Sequence, residues 1–139
     1  MATSLNNSIS AKELGYGLIQ TIRKKITYLD YGTTVTVGKI PPNSIVHGGG
    51  VYIATAFNSS GTDLLDVGFI GATTDADGYA TQLTLAAVGY IALDELATTT
   101  NIMGTVEHTI TCAPAQGVAD ASAGEAYVLI HYTSAYPIA

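Results

Sequence analysis

Hydrophobic and polar residues alternate in short stretches along this chain, and the alternation is clearest near its end. Glu125 to Thr133 reads E-A-Y-V-L-I-H-Y-T, with Ala126, Val128, Ile130 and Tyr132 on one face, the period-two signature of a half-buried strand. Val106 to Cys112 behaves alike: Val106, His108, Ile110 and Cys112 share one face, and Glu107, Thr109 and Thr111 the other. Thr34 to Val37 is a further short β run. From Gly17 to Tyr31, Ile19, Ile22, Ile26 and Leu29 fit a helix, while Ile22, Ile26 and Tyr28 fit one face of a strand. Neighbouring Thr and Tyr residues and a flanking Gly favour the strand.

The stretch Ile40 to Gly71 carries the strongest organising signal. Pro41-Pro42-Asn43-Ser44 is a turn sequence, because proline presets φ and Asn and Ser bond their own backbone. A β-branched run interrupted by Gly48, Gly49 and Gly50 resumes as Val51 to Phe57. A polar loop follows at Asn58 to Thr62, and a second apolar run spans Leu64 to Ile70. Two β-rich runs about a Gly-containing loop predict a hairpin. Glycines inside a strand predict a bulge or the close approach of another backbone. Asp75-Ala76-Asp77-Gly78-Tyr79 is expected to be a loop. Leu83 to Leu93 fits a short helix or two strand fragments, and Ala113 to Gly124 a small-residue loop. The total is seven to eight strands, so the fold expected is all-β: one antiparallel β-sandwich domain over residues 16–139, preceded by a polar arm at 1–15.

Length and composition agree with this. The chain has 139 residues, enough for one core. It is 47% hydrophobic but only 12% charged, which points to faces covered by partners. The charge is uneven. Lys12, Arg23, Lys24, Lys25 and Lys39 are its only basic residues, and with Glu13 and Asp30 they give the first 39 positions a balance of +3; everything beyond is acidic, for a total of −6. A basic edge docked on an acidic surface fits this asymmetry, as does an acidic face that simply stays solvated. An acidic body is a poor match to nucleic acid. No stretch of ~18 apolar residues predicts a membrane helix, and no basic-then-apolar N-terminal pattern predicts a secretory signal, so synthesis in a cytoplasm is expected.

Candidate chemistry is sparse. Cys112 is the single cysteine, which rules out an internal disulfide and predicts a small core residue. His47, His108 and His131 lie apart at no metal spacing, and each is expected to be an ordinary strand residue. Asp75 and Asp77 resemble a fragment of a calcium loop but lack its third oxygen ligand before the Gly and its distal Glu. Asp63, Asp66, Asp94 and Glu95 are available for a carboxylate pair, and nothing selects any of them. The triple glycine precedes a β run rather than the helix that phosphate cradling needs. The nine tyrosines, Tyr52 and Tyr127 among them, suit sugar stacking or, more simply, strands and interfaces. No cofactor and no catalytic set is expected.

The order of features resembles small structural proteins of tailed-bacteriophage virions, of the capsid decoration (cement) type. The residues that carry the resemblance are I-P-P-N-S-I-V-x-G-G-G-V-Y-I-x-T-A-F-N with L-x-V-G at Leu65 to Gly68, then Asp75, Asp77, Tyr79 and Ala80. Ala87, Gly89, Ala92 and Leu93, the strand at Val106 to Cys112, and Gly124 to Tyr132 complete it. It begins at Thr34, and the first 33 residues do not match. The resemblance implies a jelly-roll-like sandwich on the phage head surface, a homotrimer contacting the major capsid protein, without enzymatic activity. Lys12, Arg23, Lys24, Lys25 and Lys39 are then the candidate capsid contacts. A carbohydrate- or receptor-binding module of a phage fibre is the alternative, and a hydrolase using an acidic pair a more distant one.

Overall fold

The computed structural model describes residues 19–96 and 106–134. The predicted arm 1–15, with Lys12, lies outside them. Eight strands follow in chain order: β1 (Gln20–Thr27), β2 (Val35–Ile40), β3 (Ser44–Thr55), β4 (Asp63–Ile70), β5 (Thr74–Thr84), β6 (Gly89–Ala92), β7 (His108–Gln116) and β8 (Glu125–Ser134). They form two four-stranded antiparallel sheets, ordered β1-β8-β3-β6 and β2-β7-β4-β5. Each strand pairs with its mirror in sequence: β1 with β8, β2 with β7, β3 with β6, β4 with β5. The chain is thus one long hairpin centred on the β4–β5 turn and folded over into two layers, the topology of a jelly roll.

The core lies between the layers. Ile26, Val46, Val51, Ile53, Val128 and Ile130 come from the first sheet, and Ile40, Leu65, Val67, Ile110 and Cys112 from the second. Along β8 the alternation is complete, with every second residue from Ala126 to Tyr132 buried.

Several expectations need correction. β3 and β4 do not form a hairpin, because they lie in opposite sheets. The segment between them crosses the end of the sandwich, and Phe57 plugs that end, 2% exposed, with its N–H bonded to the Leu85 carbonyl at 3.0 Å. Both apolar runs bury one face, but against each other's layer.

Asp75 to Tyr79 belongs to β5 rather than to a separate loop. It leaves the ladder there all the same: Val67 pairs with Ala80 and Phe69 with Asp75, so residues 76–79 oppose Gly68 alone. β7 runs on to Gln116 where a loop was expected from Ala113. Pro114 is tolerated because its carbonyl, which shares a side with the missing N–H, accepts from Gly32 at 3.2 Å, beyond the end of the β2 ladder at Val35. Leu83 to Leu93 resolves into strand, the end of β5 and then β6.

The strand expected from Gly17 to Tyr31 stops at Thr27. A single 3-10 turn, Tyr28–Asp30, follows; the Thr27 hydroxyl accepts from the Leu29 N–H, and Asp30 accepts from the Thr27 N–H at 2.8 Å. The bulge expected at the triple glycine falls on His47, just before it, and the glycines themselves pair in register. The β3–β8 register shifts between Val46 and Gly48. Gly49 has φ +141°, and a side chain there would run into the Leu129 carbonyl.

Candidate functional site

β1 and β2 are edge strands of the two sheets and lie side by side; a Cβ on Gly38 would stand 3.1 Å from Ile22 Cδ1. The structure therefore brings Arg23, Lys24, Lys25 and Lys39 to one edge of the sandwich but aims them differently. Arg23 and Lys25 share the outer register of the first sheet, opposite Leu129 and Tyr127. Lys24 shares the inner register with Ile22 and Ile26, yet is exposed at the open edge, an inward-facing charge of the kind that blocks edge-to-edge pairing. Lys39 sits outward on the opposite sheet, 3.8 Å from Glu107.

The outer face of the first sheet holds an aligned row. Register sets Lys25 beside Tyr127, Tyr127 beside Tyr52, and Tyr52 beside Tyr90. Tyr52 is 46% exposed and Tyr90 55%. A Cβ at Gly50 would meet the tip of the Tyr90 ring at 2.5 Å, so the missing side chain lets that ring lie down on the sheet. The Arg23 guanidinium sits 5.6 Å from the Tyr127 ring centroid, a cation–π distance. Tyr127 donates its hydroxyl to Glu125 at 2.9 Å, and Lys25 lies 3.6 Å from the other oxygen of that carboxylate. Two rows along, His131 bonds Thr21 at 2.8 Å, and the bulge places His47 next to it.

The outer side of the second sheet is different. The backbone of Asp75 and Ala76 lies over Gly68, where a side chain would strike it, and Thr111 opposite Gly68 is 5% exposed. Asp66, Asp75 and Asp77 gather there. Sharing a hydrogen bond with Asp75 holds the Asp77 carboxyl above its ordinary value, and the charges of Asp75 and Asp66 add to this. Asp66 accepts from the Gln82 N–H at 2.7 Å, at a left-handed residue of φ +53°. Among the described residues, no group of three His, Cys, Asp or Glu side chains is arranged to hold a metal.

The remaining candidates are structural. His108 is 5% exposed, with its ring centroid 5.1 Å from that of Phe69 and its Nδ1 3.2 Å from the Val106 carbonyl, which fixes the proton on Nδ1. Cys112 is fully buried as expected, and burial pushes its thiol up to about 12. Asp63 is buried and accepts from the Tyr31 hydroxyl. Asp94 caps the Thr81 N–H at 3.1 Å, 13 positions away. Tyr90 and His131 enter the row only through pairing register, and no local motif marks them.

No protein-family model matches the chain, and no curated protein does. Three solved structures share its fold. A chain in the acidic stable capsid structure of Helicobacter pylori bacteriophage KHP30 aligns with a TM-score of 0.65 at 10% identity, covering 86% of this chain and 90% of that one. A chain of the capsid asymmetric unit of cyanophage Pam1 aligns at 0.61 and 21%, with 86% of each covered. A chain of the capsid of Ralstonia phage GP4 aligns at 0.65 and 21%, again with 86% of each. At these identities the likeness establishes a common fold over nearly the whole sandwich.

Proposed function

We propose that this protein is a structural component of a phage capsid, and specifically a decoration protein that cements the shell. The observation that carries this is the correspondence of the whole jelly roll, rather than a fragment, with chains from three phage capsids. The resemblance in sequence, the low charge and the exposed tyrosines support it. Its partners are the major capsid protein and further copies of itself, as a trimer, with Lys12, Arg23, Lys24, Lys25 and Lys39 as candidate contacts. The role needs no catalytic group. A protein that binds only the assembled shell stabilises it by its binding free energy, repeated over many copies, and trimerisation adds avidity.

The test is to add the purified protein to phage heads that lack it. Binding with raised thermal or osmotic resistance of the heads is expected, and absence of both overturns the proposal. A second reading, a sugar-binding module, is favoured only by the exposed rings of Tyr52 and Tyr90. It requires glycan-array binding that a Tyr52→Ala change abolishes.

A further inference from the structure

The two outer faces of the sandwich differ in what already covers them. The chain's own Asp75–Ala76 backbone lies over Gly68 on the second sheet, with Ile70 left exposed farther along β4. On the first sheet Tyr52, Tyr90 and Ile45 stay exposed, although each is large enough to contribute substantially to a contact.

The faces also differ in charge. The first carries Arg23 and Lys25 against one carboxylate, Glu125, already engaged by Lys25 and Tyr127. The second carries Asp66, Asp75 and Asp77, and its Lys39 is 3.8 Å from Glu107. Tyr and Arg with few acids is the composition of protein interface cores.

Neither way of seating a second copy on the first face works well. Face against like face opposes two surfaces of the same basic balance, each with Arg23 and Lys25 against one carboxylate. The oppositely charged second sheet points the other way, so front-to-back contact stacks without closing and produces fibres rather than a ring. A glycan fits poorly too. Arg23 occupies one face of Tyr127, Glu125 its hydroxyl, and Gly50 the underside of Tyr90.

We propose that the outer face of the β1-β8-β3-β6 sheet is a docking surface for an acidic protein surface, with Tyr52 and Tyr90 as anchors and Arg23 and Lys25 as the charge match. The inference rests on the function proposed above, under which that acidic surface belongs to the capsid shell.

The experiment measures co-sedimentation with heads lacking the protein, at low and high salt. It compares the natural chain with Tyr52→Ala/Tyr90→Ala, Arg23→Glu/Lys25→Glu and, on the opposite sheet, Asp75→Asn/Asp77→Asn, with melting curves for each. The tyrosine pair is expected to weaken binding at least about tenfold at both salt concentrations, as loss of central anchors does. The charge reversal should weaken it most at low salt and flatten the salt dependence. The opposite-face pair should bind within about twofold of the natural chain, as a change outside an interface does. If the natural chain binds but the first two variants bind equally well, or the third loses as much, the face is wrong while the capsid function stands. If the natural chain does not bind heads at all, both proposals fall. Glycan binding lost in the tyrosine pair while head binding persists also overturns the docking surface.

Discussion

The phenol of Tyr31 donates a hydrogen bond to the carboxylate of Asp63, tying the turn after β1 to the first residue of β4 in the other sheet. Asp63 is 3% exposed, and neither ion pair found among the described residues includes it. The Tyr31 ring also packs edge-on against Phe57, with centroids 5.6 Å apart. Tyr31→Phe keeps that packing and removes the donor. A buried carboxylate losing its partner costs about 1–3 kcal/mol. Urea denaturation should show this loss for Tyr31→Phe. In the double variant Tyr31→Phe/Asp63→Asn the two effects should not add; full additivity would mean that the bond carries no coupling.

The glycine run offers a matched pair. Gly49→Ala forces a side chain into φ +141° against the Leu129 carbonyl, whereas nothing lies within 4 Å of a Cβ at Gly48. Strain of this kind falls among the large single-residue effects, roughly 3–5 kcal/mol. Gly48→Ala should stay within about 0.5 kcal/mol, as substitutions into open space do. Equal melting temperatures for the two variants would refute the close approach of the Leu129 backbone as the reason for Gly49.

Alkaline stability should depend on two buried groups, Cys112 and Tyr79, and one half-buried phenol, Tyr31. Burial raises Cys112 from 9.0 to about 12, with the charge of Asp30 adding to it and that of Lys24 opposing. Burial raises Tyr79 well above 10.0, and burial together with the Asp63 bond does the same for Tyr31. In each case the unfolded chain releases its proton first. The stabilisation is therefore complete below the unfolded values and is lost as pH climbs from there toward the folded ones. Melting temperature should be insensitive to these groups up to about pH 9 and fall beyond it. Cys112→Val should delay the onset of that fall toward pH 10, where the tyrosines begin to titrate in the unfolded chain. An unchanged onset would remove Cys112 from the account.

Asp77 follows the same sign at lower pH. Its raised carboxyl shares a hydrogen bond with Asp75 and feels the charges of Asp75 and Asp66. The favourable contribution of its proton is present in acid and lost as pH rises through the folded value, leaving repulsion. Asp77→Asn should raise the melting temperature slightly at pH 7, less at high salt, and not at all in acid, where Asp77 is already neutral. A loss of stability at pH 7 would contradict this.

The strand content was legible because period two survives in a half-buried strand: Glu125 to Tyr132 is buried as its alternation predicts, and so is His108 to Cys112 apart from Thr111, which is buried on the face expected to be open. What alternation cannot encode is which layer a strand joins. Val51 to Thr55 and Leu64 to Ile70 carry the same one-faced signal, and the seven residues between β3 and β4 suffice to cross the ~10 Å between stacked sheets. Asp-Ala-Asp-Gly has ordinary turn chemistry, so nothing local shows that it is an excursion inside β5 rather than its boundary. At the candidate site, the alternation of Arg23 and Lys25 against Lys24 follows from period two alone. The alignment of Tyr127, Tyr52 and Tyr90 depends on pairings across most of the chain, and a single sequence carries no record of those.

The mirror pairing of strands also sets when the protein can be finished. Gln20 accepts from the Tyr132 hydroxyl across 112 positions, and β8, the last strand made, lies between β1 and β3. During synthesis β1 has no sheet neighbour until β8 has left the ribosome, so the first sheet closes only once all eight strands are free. Folding dominated by such distant pairings is slow. A chain cut short before Glu125 would leave β1 unpaired and expose the core of the first sheet along a bare strand edge.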